Sequence, residues 1–158
     1  MLKCTLAAAT VLLATTAQAA PPRDSDRAAL EQLASRLDAV WDGGDAAAVT
    51  ALYAGDGSVR MDGRAIEQGH AAVLRYFKDT IGRRPANLRH VTKLENIDML
   101  TPDLALADAY VAIEQEQPDG ARRLLTEFRN QTIAERQGGE WRFRAVRAQR
   151  MPEKKPAY

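Results

Sequence analysis

The sequence predicts an α+β domain in which three N-terminal helices pack inside a strongly curved antiparallel sheet. Three observations carry this. Apolar residues recur at helical spacing up to about residue 81; from residue 88 onward the chain reads as long strand-like runs; and only hairpin-length turns separate those runs. Helices and strands are thus segregated along the chain, which is the mark of α+β rather than of alternating β/α units. A curved sheet closing around the helices makes a cone with one open end, a natural cavity for a small molecule.

Each element has its own signal. Asp24, Ser25 and Asp26 offer a helix cap and first-turn negative charge, and Leu30, Leu33, Leu37, Val40 and Trp41 then form one buried stripe. Gly43–Gly44 stops this helix, and Asp45 stands where a second, short helix needs its N-cap. That helix presents Val49, Leu52 and Tyr53, and Gly55–Asp56–Gly57 is expected to end it as a turn, which makes Asp45 a cap and Asp56 a turn residue. SVRM reads as a short strand, and Asp62–Gly63 as a turn. A third helix carries Val73, Leu74, Phe77 and Ile81 on one face and breaks at Gly82–Pro85. Four long strands follow, LRHVTKLENIDML, LALADAYVAIEQEQ, RRLLTEFRNQTIAER and WRFRAVRAQR, joined by TPD, PDGA and QGGE in an antiparallel meander.

The ends of the 158-residue chain read differently. Residues 1–20 have the grammar of a secretory signal peptide: Lys3, an apolar run from Leu6 to Ala14, and Ala17–Gln18–Ala19 before the cleavage point. The run is about half the ~20 residues a membrane-spanning helix needs, so no stable membrane anchor is expected after cleavage. Cys4 is the single cysteine and leaves with the signal, so the exported chain holds itself together without a disulfide. The signal and the Ala/Arg-rich composition point to a bacterial protein that is periplasmic or secreted. One domain spans residues 24–150, and 151–158 is a charged, proline-containing tail expected to be disordered. The chain has 22 basic and 21 acidic residues, a balance that argues against a nucleic-acid partner.

WDGGDAAAVTALYAGDG, GHAAVLRYF, the strand with PDLALA, and GGEWRF together resemble the nuclear transport factor 2-like superfamily, and within it the SnoaL-like group that includes SgcJ/EcaC-type proteins. The resemblance covers nearly all of 24–150. It implies a conical α+β barrel that is often a homodimer through its sheet, with a pocket between helices and sheet. It is weak for function, because this fold hosts isomerases, cyclases, dehydratases, hydrolases and non-catalytic association domains.

Several chemistries are disfavoured by the residues themselves. The exported chain has no thiol, its two histidines (His70 and His90) are not spaced as a zinc-binding pair, and no glycine-rich phosphate loop is present, so neither a metal nor an organic cofactor is expected. What remains is acid–base chemistry in an apolar cup. Asp108 draws attention as a carboxylate inside LALADAYVAI, and Tyr110 shares its strand face two residues on. A carboxylate desolvated in such a run is either paired or pushed toward its neutral form, in which it can move protons near neutral pH. The alternative is that Asp108 pairs with Arg129 or Arg147 on a neighbouring strand. His90, at the start of the first long strand, is the other candidate proton carrier, with hydrogen-bonded structural duty as its alternative. Asp108, Tyr110 and His90 are therefore the candidate catalytic group. Trp41, Tyr53, Tyr76, Phe77, Phe128, Asn130 and Arg147 are expected to line the pocket, and Thr132 shares the face of Phe128 and Asn130. Which strand face looks inward is open at this stage, because both faces of 104–113 carry apolar residues and a one-residue slip inverts every assignment. Two functions fit: an exported binder of a small hydrophobic or carbonyl compound that performs cofactor-free isomerisation or hydration, and a non-catalytic dimerising or association module.

Overall fold

A computed structural model describes residues 20–152. The signal-peptide reading, Cys4 and most of the expected tail lie outside these residues. The elements run α1 (Asp24–Asp42), α2 (Ala46–Ala51), β1 (Tyr53–Met61), β2 (Glu67–Gln68), α3 (His70–Gly82), β3 (Leu88–Thr101), β4 (Leu104–Glu116), β5 (Arg122–Gln137) and β6 (Glu140–Arg150). The strands form one six-stranded sheet in the order β2-β1-β6-β5-β4-β3, curled but unclosed, with β2 and β3 at its edges. β3 to β6 make the antiparallel meander, whereas β1 joins β6 in parallel.

The local chemistry explains most boundaries. α1 buries Leu30, Leu33 and Ala34 against the sheet, and the chain leaves it through Gly44, whose φ of 77° suits glycine. Asp45 caps α2 by accepting the Ala48 N–H at 2.9 Å. The β5–β6 hairpin turns on Gly138 and Gly139, both at positive φ, as a two-residue connection requires. α3 turns Val73, Phe77 and Ile81 into the core that also holds Leu30, Leu33, Val49, Ile97 and Trp141.

Two expectations are corrected. Gly55–Asp56–Gly57 is not a turn: β1 begins at Tyr53 and runs through it, with the register shifting between Tyr53 and Ser58. The irregularity needs Gly57, where a Cβ would stand 2.8 Å from the Phe143 carbonyl oxygen and 2.9 Å from that of Ala54. Asp56 is exposed there and pairs with Arg144 of β6. The helix cap expected from Asp24, Ser25 or Asp26 is absent too: Arg23 is the N-cap with no side-chain cap bond, and Asp26 supplies the expected first-turn charge. Its side chain is only 4% exposed and is held by Arg23 at 2.8 Å and by Arg136 of β5, so it ties the start of α1 to the sheet.

The sheet's inner face follows from burial. On β4 it carries Ala105, Ala107, Ala109 and Val111; on β5, Phe128, Thr132 and Ala134. On β3 and β6 the two-residue period slips once. The inward series on β3 passes from Leu94 to Ile97, and on β6 from Phe143 to Val146, each across a register shift. These bulges bend the strands and curl the sheet around α1 and α3.

Candidate functional site

Toward the mouth of the cone the core gives way to a cavity of about 180 Å³. Its walls are mostly apolar, with Leu37 and Trp41 from α1, Phe77 from α3, and Val111 and Phe128 from the sheet. Besides the Thr80 hydroxyl, which donates to the Tyr76 and Phe77 carbonyls of its own helix, four polar side chains interrupt them: Tyr53, Tyr76, His90 and Asn130.

His90 is the most elaborately held of the four. It lies on the edge strand β3, whose outward N–H groups have no neighbouring strand to bond. Two carboxylates of α1, one turn apart, serve them instead. Asp42 accepts the His90 N–H at 2.7 Å, and Asp38 accepts the Thr92 N–H at 2.9 Å. The other oxygen of Asp38 takes the Thr92 hydroxyl at 2.7 Å and the His90 Nδ1 at 2.6 Å. A carboxylate in this role only accepts, so Nδ1 is the donor, and the neutral tautomer compatible with this bond has its lone pair on Nε2. Nε2 makes no hydrogen bond to any described residue, while the ring lines the cavity. Trp41 packs against the imidazole with centroids 5.2 Å apart. Arg84 lies over Trp41 at 4.2 Å and donates to the Trp41 and Asp42 carbonyls at 2.5 and 2.9 Å, closing the C-terminus of α1.

The other polar groups are poorly satisfied by protein. Asn130 Oδ1 is buried without a hydrogen-bond partner. Buried unpartnered acceptors are costly, and a ligand is one of the things that repairs them. Burial pushes the Tyr53 phenol far above its ordinary pKa, and also raises that of Tyr76, so both stay protonated and can donate to a ligand.

The structure brings together Trp41, Tyr53, Tyr76, Phe77, Phe128 and Asn130 around one cavity with His90. It does not bring Asp108 or Tyr110 to His90. Val111 faces the cavity, and the period of two sends Asp108 and Tyr110 to the outer face of β4. The grouping of Asp108, Tyr110 and His90 as one catalytic set is therefore corrected. Tyr110 donates to Glu127, and this bond raises its pKa. Asp108 lines a separate depression on the outer face and forms no ion pair among the described residues. Its expected partners are engaged elsewhere: Arg129 with Glu95, and Arg147 with the Ser58 hydroxyl at 3.0 Å and the Val146 carbonyl at 2.9 Å. Arg147 belongs to that outer depression and not to the inner cavity, which corrects its place among the pocket residues.

Sequence reasoning missed Asp38, Asp42 and Thr92. A signal existed. Two aspartates four residues apart near the C-terminus of α1 repel each other and oppose the helix dipole, with no basic residue in the last turn to compensate. Such a pair needs partners outside its own helix.

With this geometry in place, the comparisons are informative. The family model described as SnoaL-like domain matches residues 23–147. No protein of curated function matches the sequence. Among solved structures, an NTF2-like protein with a cystatin-like fold from Novosphingobium aromaticivorans is 22% identical, with TM-score 0.68 over 82% of this chain and 84% of that one. Aln2 from Streptomyces is 16% identical, with TM-score 0.73 over 83% and 94%. A ketosteroid isomerase-like protein from Erwinia carotovora is 13% identical, with TM-score 0.66 over 82% and 99%. At these identities the likeness concerns the fold.

Proposed function

The chain belongs to the SnoaL-like domain family, and from that premise we propose that it binds a small, largely apolar carbonyl compound in the cone and moves a proton on it without a cofactor. One observation carries the reading: a histidine held by Asp38, its Nε2 unengaged among the described residues, lines an apolar cavity together with Asn130, whose buried Oδ1 has no partner. His90 Nε2 removes a proton from carbon next to the carbonyl. Asp38 stabilises the imidazolium that forms, and Tyr53 or Tyr76 donates to the oxygen on which charge develops. Return of the proton to another carbon is isomerisation; loss of a β-hydroxyl, with the imidazolium as acid, is dehydration, and the reverse is hydration.

Proton abstraction can be followed without the natural substrate. A panel of small aromatic ketones and enones in deuterium oxide should show enzyme-dependent deuterium uptake at the α-carbon by NMR. His90→Gln should reduce it at least tenfold. No uptake by any ketone shown to bind, or uptake indifferent to that substitution, overturns the assignment.

Two accompanying readings are proposed with it. Export to the periplasm or beyond is supported by the signal-like residues 1–20, and the N-terminal mass of protein recovered from an exporting host tests it. Homodimerisation through the sheet is supported by the half-buried outer-face residues Leu106 and Tyr110 and the exposed Leu124 and Leu125. Sedimentation of the purified protein tests this second reading, which holds with or without catalysis.

A further inference from the structure

The cavity opens into a wider vestibule of about 660 Å³ between α3, the end of β1 and the loop before β2, and the two share Val59, Met61, Tyr76 and Thr80 as walls. The vestibule's charge is one-sided. Arg60, Arg64, Arg75, Arg83 and Arg84 line it, against only Glu67 and Asp79. Both acids are already engaged, Glu67 with Arg75 at 3.3 Å and Asp79 with Arg83 at 4.0 Å. Arg84 spends its donors on backbone carbonyls, which do not cancel its charge. Arg64 is exposed and forms no ion pair among the described residues, whereas Arg60 alternates with the inward Val59 and Met61 and lies beside Arg147 on the outer face. Arg64 also bears on the cavity itself: its charge opposes the upward push that burial gives the Tyr76 phenol, a push to which Asp62 and Glu67 add. An apolar cavity thus opens beneath a rim of uncompensated positive charge.

We propose that the ligand is an amphipathic organic anion, its apolar body in the cavity and a carboxylate or comparable acidic group in the vestibule against Arg64. This rests on the reading of the cavity as a ligand site and adds the substrate class to it. Guanidinium groups suit such a head because they offer forked donors and keep their charge at every physiological pH. Exposed contacts of this kind are modest and screened by salt, so selectivity rather than high affinity is the expected result.

The test compares 4-phenylbutyrate with 4-phenylbutan-1-ol, which share a carbon skeleton and differ in charge, by titration calorimetry at low salt. The acid should bind about threefold tighter than the alcohol, as one exposed charge contact allows. The Arg64→Ala variant should bind the two alike with alcohol affinity unchanged, and 0.5 M salt should narrow the gap in the parent protein. Equal binding of acid and alcohol, or a preference for the acid that survives the Arg64→Ala substitution, overturns the proposal while the cavity reading stands. Binding of neither compound overturns both.

Discussion

Replacing Asp38 by alanine should cost about 3 kcal/mol of stability, and the structure says where that comes from. Asp38 accepts three hydrogen bonds, from His90 Nδ1, Thr92 N and the Thr92 hydroxyl. Hydrogen bonds to a charged group are worth roughly 1.5–3 kcal/mol each when fully buried. The site is not fully buried: the side chains of Asp38 and His90 are 21% and 12% exposed, so water replaces part of what is lost. That brings the total to about 3 kcal/mol, or about 10 °C in melting temperature for a domain of this size. Asp42→Ala removes one accepted bond, to the His90 N–H, and should cost about 1 kcal/mol. Urea denaturation of the two variants measures both. Asp38→Asn separates stability from chemistry. Its amide oxygen can still accept the Thr92 N–H, but its NH2 group then faces His90 Nδ1 and donates to it, moving the ring proton to Nε2. The 15N shifts of His90 should report this change of tautomer, with loss of deuterium uptake at ketone α-carbons. A loss under about 0.5 kcal/mol in Asp38→Ala, or an unchanged tautomer in Asp38→Asn, would refute the reasoning that Asp38 holds and orients the base.

Two further predictions concern the frame. Arg23 first, and then Arg136, hold the Asp26 carboxyl below its ordinary pKa of 3.8, so its contribution to stability is complete above that pH and is lost as pH falls through the lower folded value. Arg136→Ala should therefore destabilise the protein most near neutrality and shift its acid unfolding, followed by circular dichroism, to higher pH; an unmoved midpoint contradicts the assignment. Gly57→Ala should cost about 2 kcal/mol or more in a thermal melt, since its Cβ meets backbone oxygens that cannot move aside, whereas Gly55→Ala, with nothing within 4 Å, should be mild.

The family comparison and the geometry bear on different questions. The likeness to other cone-shaped proteins concerns the backbone, and at 13–22% identity it says nothing about which atom reacts. The proposed chemistry rests on the contacts of His90, and the proposed ligand class on the charge of the vestibule. Each has its own experiment, so either can fail without the other's chemistry being assumed.

Local chemistry was enough for the helices, the meander and the hairpin turns. Leu30 and Leu33 repeat at helical spacing, Asp45 has the side chain an N-cap needs, and Gly138–Gly139 suits a two-residue turn; each acts over a few residues of chain. Trp41, Tyr76 and Phe77 of the cavity also came from such patterns, because an apolar stripe must face inward wherever the helix sits. The inward face of the sheet was beyond that range. The series slips by one residue between Leu94 and Ile97 and again between Phe143 and Val146, and a bulge depends on how neighbouring strands pair. On β4 the face was set by how the strand is laid, with Val111 inward, so Asp108 and Tyr110 fall outside the cone while His90 of β3 falls inside. Tertiary structure alone decided that Asp38 meets His90, 52 positions away along the chain. Their contact exists because an edge strand with unpaired N–H groups was laid along a helix carrying two carboxylates one turn apart, and no spacing within either segment encodes the other.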